Sequence, residues 1–271
     1  MSDKYDSELF SGAAEYYARY RVPYPQSAID YIAQTFDLDH SSEILDLGCG
    51  PGTPAIPLCS KVKHVLAMDP AREMLTIGRH LVEAAGIGNI SWILGGSRDL
   101  SADLGSFRLV VMGQSFHWME RDQVLRDLHP LIGRGGGIAL VNPGRRRSQE
   151  SWEPIAQAIV RRCLGPAVQH PQRSPEPEHE PALRRSDFEI TARREFPSTI
   201  ERDIPSILGA LYSMSGSTFG RLGPGRARFE GEIRQALLEM NPDGVFRELV
   251  ETEVLVAFRR ENRCGRPNHA Q

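Results

Sequence analysis

The chain has 271 residues and 40% hydrophobic content, enough to bury a full core in one domain with an insertion or a small cap. A net charge of −3 gives no broad basic footprint for nucleic acid and favours a small-molecule substrate, while the absence of a basic-then-apolar start and of any apolar run of membrane-spanning length points away from a membrane and towards a soluble, cytoplasmic protein. Cys49, Cys59, Cys163 and Cys264 show neither paired zinc spacing nor the framework of a secreted protein, so reduced thiols and no metal are expected.

In chain order, Phe10 to Tyr20 places Tyr16, Tyr17 and Tyr20 in a polar stretch ahead of the two prolines of RVPYP. One reading is a helix whose tyrosines cover core surface with their hydroxyls in water. Gln26 to Phe36 predicts a helix with Ala28, Ile29, Ile32, Ala33 and Phe36 on one face, packed on a sheet. Ile44 to Pro70 then reads as a β-α-β unit: an apolar run ending in Asp46, a turn through Gly48, Gly50 and Gly52, a helix, and a second apolar run ending in Asp69. Glycines suit a sharp strand exit that lets a ligand approach the backbone, and an acid about 20 residues further on is placed to meet the two hydroxyls of a ribose.

A dinucleotide would use the same architecture, but the pattern disfavours it. The sixth place of the turn, counted from Gly48, is Thr53 rather than glycine, and Asp46 would repel a pyrophosphate while tolerating a cation. Asp46-Leu47-Gly48-Cys49-Gly50-Pro51-Gly52, joined to Asp69-Pro70, resembles the first motif of class I S-adenosylmethionine-dependent methyltransferases, of the small-molecule, type 11-like kind. The resemblance implies a Rossmann-like α/β fold. Its sheet would have seven strands with helices on both faces and the last strand antiparallel, and N-terminal and late-insertion helices would form a cap. It implies S-adenosyl-L-methionine as cofactor, held by Asp46, Gly48, Cys49, Gly50, Gly52, Asp69 and Pro70. It also adds a second reading of Tyr16, Tyr17 and Tyr20, as a lid that contacts substrate.

Ala71 to Ala85 predicts a helix with a stripe of Met74, Leu75, Leu81, Val82 and Ala85, stopped by Gly86, and Ile90 to Leu94 a third strand. The loop Gly95 to Leu100 falls where the resemblance places the adenine ring. An acid common in the family is replaced at Gly96 or Arg98, leaving the backbone of Ser97 and Arg98, or the Asp99 carboxylate, to make that contact. Phe107 to Gly113 is a fourth strand, and ligands in open α/β sheets bind beyond the carboxyl ends of the strands. Gln114-Ser115-Phe116-His117-Trp118-Met119 is therefore expected to face the transferred methyl group. The segment resembles small-molecule methyltransferases, including carboxylate methyltransferases, which implies Gln114 at the methionine end of the cofactor and Trp118 near substrate. His117 is the catalytic candidate, as a base or an orienting group, against the plainer reading of a structural histidine.

Glu120 to Ile132 predicts a helix shortened or kinked by Pro130, after which Gly133 to Gly137 release the chain into a fifth strand, Ile138 to Val141. From 143 to 185 the composition shifts to a mobile basic and proline-rich connection, with Arg145 to Arg147 read as a solvated face or an anion site and a helix over Trp152 to Cys163. Phe188 to Phe196 and Val245 to Phe258 alternate as strands, with helices Ile204 to Met214 and Arg226 to Met240 between them. Insertions there shape acceptor pockets in related enzymes, which makes Tyr212 a substrate-side candidate. Residues 1–260 are expected to form one domain, divided into a cap (1–40), the cofactor core (41–142), the connection (143–185) and the helical insertion (198–243), with 261–271 a frayed tail. The expected function is methyl transfer to a small-molecule acceptor, at a carboxylate or hydroxyl oxygen, by in-line displacement. N- or C-methylation and a non-methylating cofactor-binding protein are the alternatives. A nucleic-acid enzyme is disfavoured by the charge and by GQSFHW standing where an Asn-Pro-Pro-aromatic motif would be.

Overall fold

A computed structural model of the protein describes residues 13–147, 151–165, 179–213 and 222–261. Seven strands form one sheet in the order β3-β2-β1-β4-β5-β7-β6. They are β1 (Glu43–Leu47), β2 (His64–Asp69), β3 (Ile90–Leu94), β4 (Phe107–Gly113), β5 (Ile132–Arg147), β6 (Phe188–Asp203) and β7 (Val245–Arg259). β1 to β5 pair in parallel, and β7 runs antiparallel to both β5 and β6. β1 lies between β2 and β4, so the chain order reverses there and opens a crevice beyond their carboxyl ends, where such folds bind ligands.

Both faces of the sheet are covered, which is why its inner strands read as continuous apolar runs. On one face Leu45, Leu66, Val110 and Leu140 meet α5 (Arg121–Leu128) and α7 (Glu180–Arg184). On the other, Ile44, Val65, Val111 and Val254 meet α2 (Gln26–Thr35) and the short α3 (Ala55–Leu58). α4 (Arg72–Ala84) buries Met74, Leu75, Gly78 and Val82. Leu81 does not join that stripe: it is 44% exposed, and Gly78 takes the inner place because the Trp92 indole fills the space a side chain would need, 2.3 Å from where a Cβ would stand. α5 stops at Leu128 and continues as a 3-10 turn through Pro130.

The second half departs further from expectation. β5 begins before the glycines and runs through Arg147, so 143–147 is strand rather than loop, pairing Arg146 with Val250 and Arg147 with Leu249. α6 (Glu153–Leu164) and α7 occupy further parts of the stretch expected to be a mobile connection. Its proline-rich stretch 166–178, with His170, lies outside the described residues, as do the tail from 262, Cys264 and the segment 214–221 that follows Tyr212 and Ser213. β6 continues past Pro197 to Asp203, so the insertion between the last strands begins at Ile204.

The ends of β5, β6 and β7 extend beyond the crevice and carry a helical cap of α6, α8 (Ile204–Tyr212) and α9 (Arg226–Met240) around Ile159, Ile207, Leu211, Phe229 and Ile233. The cap is tied down by a buried polar contact in which the Trp152 indole N–H donates to Glu248, itself ion-paired with Arg202 at 3.4 Å. α1 (Ala14–Tyr20) crosses from α4 to α8.

Candidate active site

The strand exits are interlocked before any ligand is considered. Gly48 has φ 71°, and a Cβ on it would stand 2.4 Å from Ser115 Cβ; the Ser115 hydroxyl donates to Leu47 O at 2.6 Å. The turns after β1 and β4 therefore touch through a residue without a side chain. Gly50 (φ 55°) differs, since the nearest atom to a Cβ there is Tyr17 Cε1 at 3.8 Å and its N–H donates to Asp69 Oδ2 at 2.8 Å. Gly52 is a packing glycine, whose Cβ would meet Trp92 at 2.9 Å and Ile56 at 3.0 Å.

A cavity of about 290 Å³ opens at these turns. Of the residues singled out from sequence, Tyr17, Gly48, Gly50, Asp69, Pro70, Ser97, Arg98, Gln114 and Trp118 line it. Asp46, Cys49, Gly52, Tyr16, Tyr20, His117 and Tyr212 are not among its lining residues. Asp46 and Cys49 are buried beneath the turn. Tyr16 packs edge-on against Tyr212 at 5.2 Å, Tyr20 lies on Gly209, and the Tyr212 hydroxyl donates to Glu230 at 2.8 Å, so these three belong to the cap's own packing. His117 sits in the 3-10 turn after β4, half-buried, its ring 5.0 Å from that of Trp118.

Two acids set the field at one end. Asp69 Oδ1 accepts from the Ala71 N–H at 2.8 Å while Oδ2 accepts from Gly50, so each oxygen keeps capacity for one more donor. Burial pushes its pKa up, and those two bonds pull against the shift. Asp46 accepts from the Ala55 N–H at 3.1 Å with one oxygen; the other is buried and, among the described residues, unpartnered. Burial first, and the Asp69 charge second, hold Asp46 well above the usual carboxylate range. Burial likewise raises the Cys49 thiol, with both acids adding to the shift, which removes it as a nucleophile. The Tyr17 hydroxyl is raised by burial too, opposed by Arg21, whose guanidinium lies 4.7 Å from the centre of its ring.

These residues fit a ligand with a diol for Asp69 and positive charge near two acids; they do not fit a pyrophosphate. Beyond β3, the 3-10 turn Ser97–Asp99 closes the far end, with Asp99 Oδ2 accepting from the Gly96 N–H at 2.8 Å. Beyond β4, Gln114 is held at φ 55°, a left-handed conformation uncommon without glycine, and its N–H donates to Val141 O at 3.0 Å. The Tyr24 hydroxyl reaches the same carbonyl, donating to Val141 O at 3.4 Å. Tyr24 was missed from sequence although RVPYP presents it; Ser115 and Met119, in the segment expected to face the methyl group but given no role of their own, line the cavity. Among the described residues no group of three or more His, Cys, Asp or Glu is arranged to hold a metal, and no helix is long and apolar enough to cross a membrane.

Residues 44–136, which carry the glycine turn and strands β1 to β4, match the family model described as a methyltransferase domain. The chain is 27% identical to an uncharacterized methyltransferase of Schizosaccharomyces pombe over 55% of its own length and 57% of that protein's. It is 26% identical to the demethylmenaquinone methyltransferase of Listeria welshimeri over 44% of its length and 52% of the relative's. The match spans about half the length of these curated relatives. A candidate type II methyltransferase from Anaeromyxobacter dehalogenans superposes over 89% of this chain and 99% of its own, with a TM-score of 0.59 at 19% identity, a likeness of fold.

Proposed function

We propose that the protein transfers a methyl group from S-adenosylmethionine to a small-molecule acceptor, at a carboxylate or hydroxyl oxygen, by in-line displacement. The observation that carries this reading is the position of the cavity: at the sheet's switch point, with Asp69 at one end, Asp46 buried beneath the turn there, and Gln114, Ser115, Trp118 and Met119 at the other. Support for a small acceptor comes from the unremarkable net charge and from a relative named for demethylmenaquinone.

The cofactor supplies an electrophilic methyl group on a sulfonium. The chain's residues supply position and dryness. Asp69 would accept from the ribose hydroxyls with the capacity its backbone bonds leave over, and Pro70, Ser97 and Arg98 would border the adenine. Gly48 and Gly50 let backbone reach the ligand. Tyr17 closes the outer side, while Trp118 and Met119 exclude water where the acceptor enters. Alignment of acceptor and methyl group is the main contribution such a site makes. A carboxylate acceptor needs no base, and His117 then orients it by hydrogen bonding. For a hydroxyl acceptor His117 is the base candidate: it is the imidazole of the segment after β4 and packs beside Trp118, which lines the cavity.

Incubating the protein with S-adenosylmethionine and a panel of small carboxylates, phenols and amines tests this. Release of S-adenosylhomocysteine with an oxygen acceptor is expected. Binding of the cofactor without release across all three classes would favour a non-methylating protein, and turnover with amines alone would move the reaction to nitrogen.

A further inference from the structure

α1 meets two bodies at once. Its inner side, Ala14 and Tyr17, packs with Ala71 and Met74 where β2 hands over to α4, and Tyr17 walls the cavity beside Gly50. Its other side meets α8. The Tyr20 ring lies flat in the place of a missing side chain: a Cβ on Gly209 would stand 2.2 Å from Tyr20 Cδ2, 2.4 Å from Cε2 and 2.5 Å from Cγ. Tyr16 stacks on Tyr20 at 6.2 Å and leans on Tyr212, and Arg21 donates from Nη2 to Ser213 O at 3.1 Å.

Gly209 has no local reason to be glycine. It sits inside a helix, where glycine is less favourable than alanine, and in α8 every other residue from Ile207 to Tyr212 is buried and bears a side chain. The clash is also not one that a side chain can sidestep. Cγ is the root of the ring, so turning χ2 leaves it in place, and room for a methyl group requires a new χ1 for Tyr20, which gives up the stack on Tyr16, or a shift of α1 against α8. Tyr17 stands one residue short of a full turn before Tyr20 on the same rigid helix, so it moves with it.

We infer that Tyr20 and Gly209 are a ball-and-socket pair that positions Tyr17 over the cofactor cavity, so that the cap helix α8 sets how tightly the cofactor is held. They are positioning residues, since neither lines the cavity. The inference rests on the reading of that cavity as the cofactor site and adds its coupling to the cap.

The test is Gly209→Ala in the full chain, read by calorimetric titration with S-adenosylhomocysteine, thermal unfolding and amide hydrogen exchange. As a plain helix substitution it should leave the melting temperature unchanged or raise it. The coupling predicts affinity about ten-fold weaker, the scale of one lost aromatic packing contact, with faster exchange over 14–21 and none in β1 or β2. Tyr20→Ala should give a similar loss, Tyr20→Phe should restore wild-type affinity by keeping the ring, and the Gly209→Ala/Tyr20→Ala double variant should lose no more than the weaker single variant. Wild-type affinity and exchange in Gly209→Ala would overturn the inference, as would additive losses in the double variant. If the wild type binds no S-adenosylhomocysteine the cofactor reading falls, while exchange over 14–21 still decides whether the socket holds α1.

Discussion

Replacing Asp69 by Asn removes a charge while leaving the shape of the side chain, and the two backbone donors that hold the carboxylate set the cost. Each carboxylate oxygen of Asp69 already accepts one backbone N–H, from Gly50 and from Ala71, both at 2.8 Å. An amide presents one acceptor oxygen and one NH2, so one of those donors meets another donor. Hydrogen bonds to charged groups contribute about 1.5 to 3 kcal/mol each, but the amide also escapes the burial that raises the Asp69 pKa, so stability in the absence of ligand should change by less than that figure. The variant also loses one of the two acceptor sites offered to the ribose hydroxyls, so S-adenosylhomocysteine should bind about 10- to 150-fold more weakly by the same figure. Thermal unfolding measures the first effect and isothermal titration the second. A folded D69N protein with wild-type affinity would refute the assignment of Asp69 to the ribose.

Asp46 has one backbone donor where Asp69 has two, so neutralising it should raise stability outright. Its pKa in the folded chain is raised, by burial and then by Asp69, so its favourable contribution is complete below the unfolded value of about 3.9 and is lost as pH rises through the folded value. Asp46→Asn is therefore expected to raise the melting temperature at neutral pH, with the gain vanishing towards about pH 4, and a lower melting temperature at pH 7 would contradict it. Gly50→Val should keep the fold but lose the ligand, because the new side chain grows towards Tyr17 and the cavity at a left-handed backbone position; intact titration with S-adenosylhomocysteine would make the turn purely structural. His117→Ala should lower kcat by a factor of about 10² to 10⁴ with a hydroxyl acceptor and by less with a carboxylate, at near wild-type cofactor affinity. Wild-type turnover from about pH 6 to 9 would make it a packing residue.

The cofactor half of the fold was legible because its signals are local. β3 and β4 end where the apolar runs end, and Asp46, the glycine turn and Asp69 are spaced by the geometry of one β-α-β unit. The far half was not, because its order comes from partners distant in sequence. The glycines 133–137 read as a release into β5, yet Gly137 is where β5 crosses β7 so closely that a Cβ would stand 2.3 Å from Ala257 O. The expected strand stopped at Phe196, but β6 continues through Pro197 because it is the edge strand, where a proline can be carried without breaking the ladder. The three N-terminal tyrosines could not be told apart by composition. Helical spacing separates them once Ala14 is known to be buried: Tyr17 shares its side and reaches the cavity, while Tyr16 and Tyr20, four apart, turn to the cap.

The central claim is that the cavity between the glycine turn and the segment after β4 takes S-adenosylmethionine. Its most direct test is isothermal titration of the wild-type protein with S-adenosylhomocysteine, with NAD and FAD titrated in parallel. One saturable site for S-adenosylhomocysteine, lost in Gly50→Val and weakened in Asp69→Asn, with no binding of either dinucleotide, is the result the structure predicts. Saturable binding of a dinucleotide, or S-adenosylhomocysteine binding that ignores both substitutions, would contradict it.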